Sequence, residues 1–285
     1  MNELKAYRQL FEKELFENVI PFWTKNAIDS VNGGIYNSLD RKGEIYSTDK
    51  SVWMQGRCAW TFSYIYNHIE KKPEYLTLAK SCIEFATKHC IDETDGRMYF
   101  AVTRDGKPLR KRRYWFSETF YIMANAEYYM ATGETPYLDR AKKYFDFVYE
   151  MYVDPSSDPF KITPKGYAET RNTKTLANPM ILLNVASIMR DADGERYDYY
   201  NEIITGLIKD IQCFYKPEYK ATFENINPED NSVILESAPC RVINPGHDIE
   251  CSWFLLEEGI KRQDKEIISL AENIFNDAYA FGWDK

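Results

Sequence analysis

Histidine is the scarcest chemistry-bearing side chain in this sequence, with three among 285 residues: His68, His89 and His247. They are too far apart to form a metal motif such as H-E-x-x-H. Cysteine is sparse too, six residues with no C-x-x-C pair, and several lie in apolar helical patterns. Neither a zinc site nor a disulfide framework is suggested, and a reducing cytoplasm is the expected location. Long apolar runs are missing: Met1 leads straight into a charged amphipathic segment, with no signal core and no spanning stretch. G-x-S-x-G, a P-loop and a dinucleotide fingerprint are absent as well, so acyl transfer and nucleotide hydrolysis find no support. Positive charge is the minority, Lys+Arg 36 against Asp+Glu 44 for a net −8. Neither a nucleic acid nor an anionic membrane is therefore an expected partner. The basic run Arg110-Lys111-Arg112-Arg113 is an exception and reads as a solvated loop.

Aromatic residues are plentiful, with Trp 6, Tyr 22 and Phe 16. They suit a densely packed helical core or a cavity that offers ring faces to a sugar. Apolar spacing predicts helices over 3–25, 50–69, 73–90, 116–132, 136–152, 176–191, 195–214, 246–260 and 264–280. Most form consecutive pairs across short turns. A hairpin is expected around Asp40-Arg41-Lys42-Gly43, and a second β excursion at Met98-Tyr99-Phe100-Ala101-Val102. Four segments rich in apolar and small residues open pair members, near Trp53, Ser117, Asn178 and His247. They recur about every 60–67 residues, the period of a repeated helix pair. Helices apolar almost all round belong to an inner layer, with more charged partners outside. The pattern predicts an all-α toroid of helix pairs in a single domain over 1–285, with Arg57, Glu118, Asn178 and His247 directed toward one mouth.

The stretch from Asn244 to Trp253 carries the clearest chemistry. Asn244 is a helix cap and Pro245 suits the first helical position. His247 then falls in the first turn, where the dipole's positive end is expected to keep the imidazole neutral, as a general base requires. Glu250, three residues on, shares its face and is expected to orient the ring or contact the same ligand. Arg57 in an apolar layer needs a carboxylate or an oxygen-rich ligand, and Glu118 is the expected partner. Trp53 and Trp60 either stack on a sugar or pack in the core. His68 reads as solvated and His89 as structural, which leaves His247 as the imidazole base.

Three motifs carry a resemblance: Tyr46 through Arg57 with its W-x-Q-G-R, Phe116-Ser117-Glu118-Thr119-Phe120-Tyr121, and Asn244-Pro245-Gly246-His247 through Trp253. Together they resemble the N-acylglucosamine 2-epimerase family along essentially the whole chain. The resemblance implies an (α/α)6 barrel of twelve helices. It also implies interconversion of N-acetylglucosamine and N-acetylmannosamine, which feeds sialic-acid metabolism. A proton leaves and returns at C2 of the ring-opened sugar, with His247 as one acid/base. We infer from charge and position that Arg57 holds the sugar oxygens or the enolate and that Glu250 supports. Trp53, Glu118, Asn178 and Met180 are the expected substrate contacts. Cellobiose epimerases of the superfamily tend to carry histidines where this chain has Asn178-Pro179-Met180-Ile181. The chemistry requires no cofactor. ATP is a possible activator through Lys165 and Arg171 in the loop 160–171, and a homodimer is the implied assembly.

Inversion at C2 needs acid/base groups on both faces, and in the family the second is a histidine near the C-terminus. None follows His247, nine helices stand where twelve are expected, and Phe281-Gly282-Trp283-Asp284-Lys285 looks like the opening of a longer segment. The expectation is that about the last quarter is absent, leaving little or no epimerase activity and an exposed apolar flank. Two other readings stay open. A hydrolase would use Glu118 and Glu250 as its carboxylates, leaving His247 unexplained; the other reading is a non-catalytic binding protein. A cellobiose 2-epimerase or mannose isomerase is the nearest alternative within the superfamily.

Overall fold

The computed structural model describes residues 2–111, 114–160 and 169–284. Its helices are α1 (Asn2–Glu14), α2 (Ile20–Asn26), α3 (Val52–His68), α4 (Pro73–His89), α5 (Phe116–Thr132), α6 (Thr135–Val153), α7 (Ala177–Ala192), α8 (Tyr197–Gln212), α9 (Pro245–Arg262) and α10 (Lys265–Gly282). The strands are all short: β1 (Ser38–Leu39), β2 (Ile45–Ser47), β3 (Lys50–Ser51), β4 (Tyr99–Val102), β5 (Pro108–Lys111), β6 (Lys174–Thr175), β7 (Tyr215–Lys216), β8 (Ala221–Thr222) and β9 (Asn225–Ile226). The chain divides into two compact units, Met1–Val148 with Ser156–Phe160, and Tyr149–Pro155 with Lys161–Lys285.

In the first unit α3 packs on both α4 and α5. Helix α5 is apolar nearly all round, and every residue from Ser117 to Tyr128 is buried, as an inner helix requires. It stops at Gly133, whose left-handed φ of 71° closes the C-terminus without a Cβ clash. Gly56 lets α3 approach α5: a Cβ there would lie 2.7 Å from the carbonyl oxygen of Phe120. Strands β3, β4 and β5 form an antiparallel sheet in that order, while β1 pairs with β2 around the expected hairpin turn. The helix expected over 3–25 is interrupted by a π-turn at Leu15–Val19. Upstream of it, Leu4, Tyr7, Leu10 and Phe11 of α1 are exposed, and downstream Ile20 is buried.

In the second unit α7 packs on α8, α9 on α10, and the two inner helices α7 and α9 on each other. Buried Arg190 of α7 ties that last pair by donating from Nη1 and Nη2 to the two carboxylate oxygens of Glu258, each at 2.7 Å. Between α9 and α10 the chain reverses in two residues. Gln263 adopts φ 56°, and the Asp264 side chain caps α10 by accepting from the Glu266 and Ile267 N–H groups. The antiparallel pairs β6–β9 and β7–β8 in this unit have no counterpart in the sequence reading. No described helix is long and apolar enough to cross a membrane.

Candidate active site

In the second unit the site is built around the start of α9. The Asn244 side chain accepts from the His247 N–H at 3.3 Å, and Pro245 begins the helix, as the sequence implies. The His247 imidazole is half-buried, and its Nδ1 lies 2.9 Å from Oε2 of Glu224. Glu224 is held from several sides. Its N–H donates to the Val242 carbonyl at 2.9 Å, and its own carbonyl accepts from the Leu176 N–H at 3.0 Å. Its Oε1 accepts from the Thr175 hydroxyl at 3.3 Å. The lead-in to α9 and the start of α7 thus meet at this one residue.

Two expectations are corrected here. The helix N-terminus does not hold His247 below its ordinary value: the hydrogen bond to Glu224 raises it, and the charges of Glu224, Glu250 and Asp248 add to that rise. A full carboxylate charge in direct contact outweighs the half-charge of a helix end. The orienting carboxylate is Glu224, not Glu250, which makes no hydrogen bond among the described residues and bears on the ring only through its charge. Sequence reasoning also missed Asp248, which is 1% exposed and has an Oδ1 with no hydrogen-bond partner. Burial, then the charge of Glu224, pushes its carboxyl up to about 7. Asn178 lies half-buried in the first turn of α7, whereas Met180 is buried in the core. Arg171 is exposed in a polar depression with Glu229 and Glu236, and Lys165 lies outside the described residues.

The remaining expected residues belong to the first unit. Arg57 is exposed, and its guanidinium lies over the Phe120 ring, 4.5 Å from the centroid. It does not pair with Glu118, and among the described residues it has no carboxylate partner. It borders an almost wholly apolar cavity of about 230 Å³ together with Met54, Phe62 and Trp23. Glu118 is instead the buried partner of Arg97, whose Nε donates to Oε1 at 2.7 Å while Nη1 donates to Asp158 at 2.5 Å. The Met98 N–H adds a bond of 2.8 Å to the same Oε1. Burial pushes the Glu118 carboxyl up and Arg97 draws it down. A guanidinium 1% exposed needs a counter-charge, so the pair is ionic and structural. Trp53 donates from Nε1 to the Ser117 hydroxyl at 2.9 Å and is edged by Phe100, Phe116 and Phe120, the contacts of a packing residue. His68 is not merely solvated, since its Nε2 lies 3.4 Å from Glu127. Among the described residues no three His, Cys, Asp or Glu side chains are grouped to hold a metal ion.

Comparison with known proteins gives the family and the fold. The family described as N-acylglucosamine 2-epimerase (GlcNAc 2-epimerase) matches residues 33–285. The chain is 30% identical to N-acylglucosamine 2-epimerase of Bos taurus over 99% of its own length and 66% of that relative. Against the Homo sapiens protein of the same name the identity is again 30%, over 99% of this chain and 65% of the relative. The chain thus spans just under two thirds of the length of these relatives. The solved cellobiose 2-epimerase of Bacillus thermoamylovorans superimposes with a TM-score of 0.80 at 21% identity, covering 98% of this chain and 73% of that one. That likeness shows the fold to be the all-α helix-pair type of the α/α-barrel epimerases. By motif, profile and fold, the chain belongs to the N-acylglucosamine 2-epimerase family.

Proposed function

We propose that this chain carries out proton transfer at C2 of a ring-opened N-acylhexosamine, as a sugar 2-epimerase acting on N-acetylglucosamine and N-acetylmannosamine. The C2 proton is acidic only beside the C1 aldehyde, so the sugar reacts in its open form. In this reading Nε2 of His247 removes that proton, and the electron pair moves onto the C1 oxygen as an enolate. Arg57, an exposed cation with no carboxylate partner among the described residues, is assigned to that oxygen. The proton then returns to C2. Glu250 and Asn178 are assigned to the sugar hydroxyls.

The observation that carries the proposal is the hydrogen bond between His247 Nδ1 and Glu224. It occupies one ring nitrogen, leaves the other for a substrate and raises the proton affinity of the ring above its ordinary value. His68 and His89 are engaged elsewhere, so His247 is the histidine assigned to the acid/base step. Cellobiose is the second reading, favoured by the likeness in fold to the Bacillus thermoamylovorans enzyme. The chemistry needs no cofactor. Glu229 and Glu236 beside Arg171 oppose a polyphosphate, so no step is given to ATP.

The test is deuterium uptake at C2 of N-acetylmannosamine in heavy water, with cellobiose in parallel and ATP present or absent. Uptake should fall by at least a hundredfold in His247→Asn, in line with the loss of a general base. Undiminished uptake in that variant removes His247 from the chemistry.

A further inference from the structure

The two carboxyl groups behind His247 are unlike each other. Glu224 has the imidazole at 2.9 Å, the Thr175 hydroxyl at 3.3 Å and some access to solvent. Asp248 is 1% exposed, and its Oδ1 has no donor among the described residues. Both act electrostatically on the same ring, and they repel each other. Two neighbouring carboxyls beside one imidazole do not both ionise without cost, and the one with donors and solvent takes the charge. That one is Glu224. Glu250, also on α9, acts on the ring, and the charges of all three carboxyls bear on the buried thiol of Cys251. The charged group that α7 sends to α9, Arg190, pairs with Glu258 in the helix's second half, and on α10 Asp277 accepts from Tyr215. Among the described residues His247 is the cation that acts on Asp248.

We propose that Glu224 and Asp248 are positioning residues for His247. Glu224 accepts the Nδ1 proton so that Nε2 alone faces the sugar, and buried Asp248, so long as it keeps its proton, adds no second charge. The proposal rests on His247 as the acid/base of the reading above. A fixed tautomer puts the basic nitrogen where the substrate is, as in other carboxylate–imidazole pairs. A second negative charge would hold the ring as imidazolium, the form that cannot accept a proton. Asp248 ionises as pH rises past about 7. Above that pH it extends the range over which His247 stays charged.

Three histidines make this measurable directly, because each ring is resolved in a protein labelled with ¹⁵N-histidine. In the wild type the His247 ring should carry its proton on Nδ1 and titrate above its ordinary 6.5, with a second inflection near pH 7 from Asp248. Asp248→Asn should abolish the second inflection. Glu224→Gln should lower the His247 midpoint by about 1 unit or more and release the tautomer. If that variant does not fold, Thr175→Val, which frees one side of Glu224, should lower the midpoint by a smaller amount. A titration curve for Asp248→Asn that superimposes on the wild type overturns the role of Asp248. An unmoved midpoint in Glu224→Gln, or in Thr175→Val where Glu224→Gln does not fold, overturns that of Glu224. In C2 exchange, the acidic limb should shift to lower pH in both Asp248→Asn and Glu224→Gln, with kcat affected more than KM. If the chain shows no exchange at all, the failure falls on His247 as base, and the ring titration still decides the positioning claim.

Discussion

Arg97→Met should destabilise the fold by an amount that depends on pH, and the dependence reports on Glu118. In the native chain Arg97 and Glu118 expose 1% and 0% of their side chains and are joined at 2.7 Å. Glu118 has one other donor, the Met98 N–H, and its Oε2 has none. With methionine at 97 the carboxylate becomes a buried charge facing a single amide. Protonation is the less costly state. A carboxyl that ionises at 4.5 in the unfolded chain must then be neutral at pH 7, a gap of about 2.5 units. At about 1.36 kcal/mol per unit this costs up to about 3.4 kcal/mol, near the lower end of the range for breaking a buried pair. The sign follows from proton counting. In the variant the folded state holds a proton that the unfolded state has released, so stability is lost as pH rises above about 4.5. Urea unfolding followed by circular dichroism at pH 5, 6 and 7 should show the difference from wild type growing by up to about 1.4 kcal/mol per unit. Arg97→Met in a Glu118→Gln background, where residue 118 no longer titrates, should show a flat difference over the same range. A flat difference with Glu118 intact would refute the reasoning.

Two further predictions concern packing. Gly56→Ala gains about 1 kcal/mol of helix propensity. It also puts a Cβ 2.7 Å from the Cβ and carbonyl oxygen of Phe120, an overpacking that costs about 1–3 kcal/mol. Its melting temperature should fall, and a rise would show that α3 and α5 can part freely. Of the six cysteines, Cys58 and Cys213 are half-buried and the other four are buried. Maleimide should therefore add rapidly to two sites in the native chain and to all six in urea. Four or more rapid native adducts, counted by mass spectrometry, would contradict the packing described.

What could be read in the sequence divides along the range of the interactions. Helix positions were legible because a 3.6-residue period is written into each segment, and α9 and α10 fall within two residues of the boundaries that their caps imply. The Asn244 cap was legible for the same reason, since donor and acceptor are three residues apart. Glu224 was not. It stands 23 residues before His247 in a polar stretch without periodicity, and only the pairing of β6 with β9 brings it near the start of α7. The hairpin of β7 and β8 was equally hidden, since its turn places Lys220, rather than a glycine, at φ 48°. Arg97 was overlooked because it follows the Asp95-Gly96 turn, whereas Arg57 lay in a recognisable motif and drew Glu118 to itself. The direction in which the proton affinity of His247 moves was hidden because a local dipole can be read from a sequence and a distant carboxylate cannot.

The π-turn at Leu15–Val19 gives the beginning of the chain an angular setting. Such a turn holds one residue more than an α-turn, and one residue of helix corresponds to about 100° of rotation. A single deletion there would restore continuous α-helix and leave the seat of Ile20 in place. The same deletion would leave Leu4, Tyr7 and Phe11 facing as they do now, because the π-turn takes up its extra residue within a single rotation. A deletion within α1 itself would instead swing the residues before it by about 100° relative to Ile20.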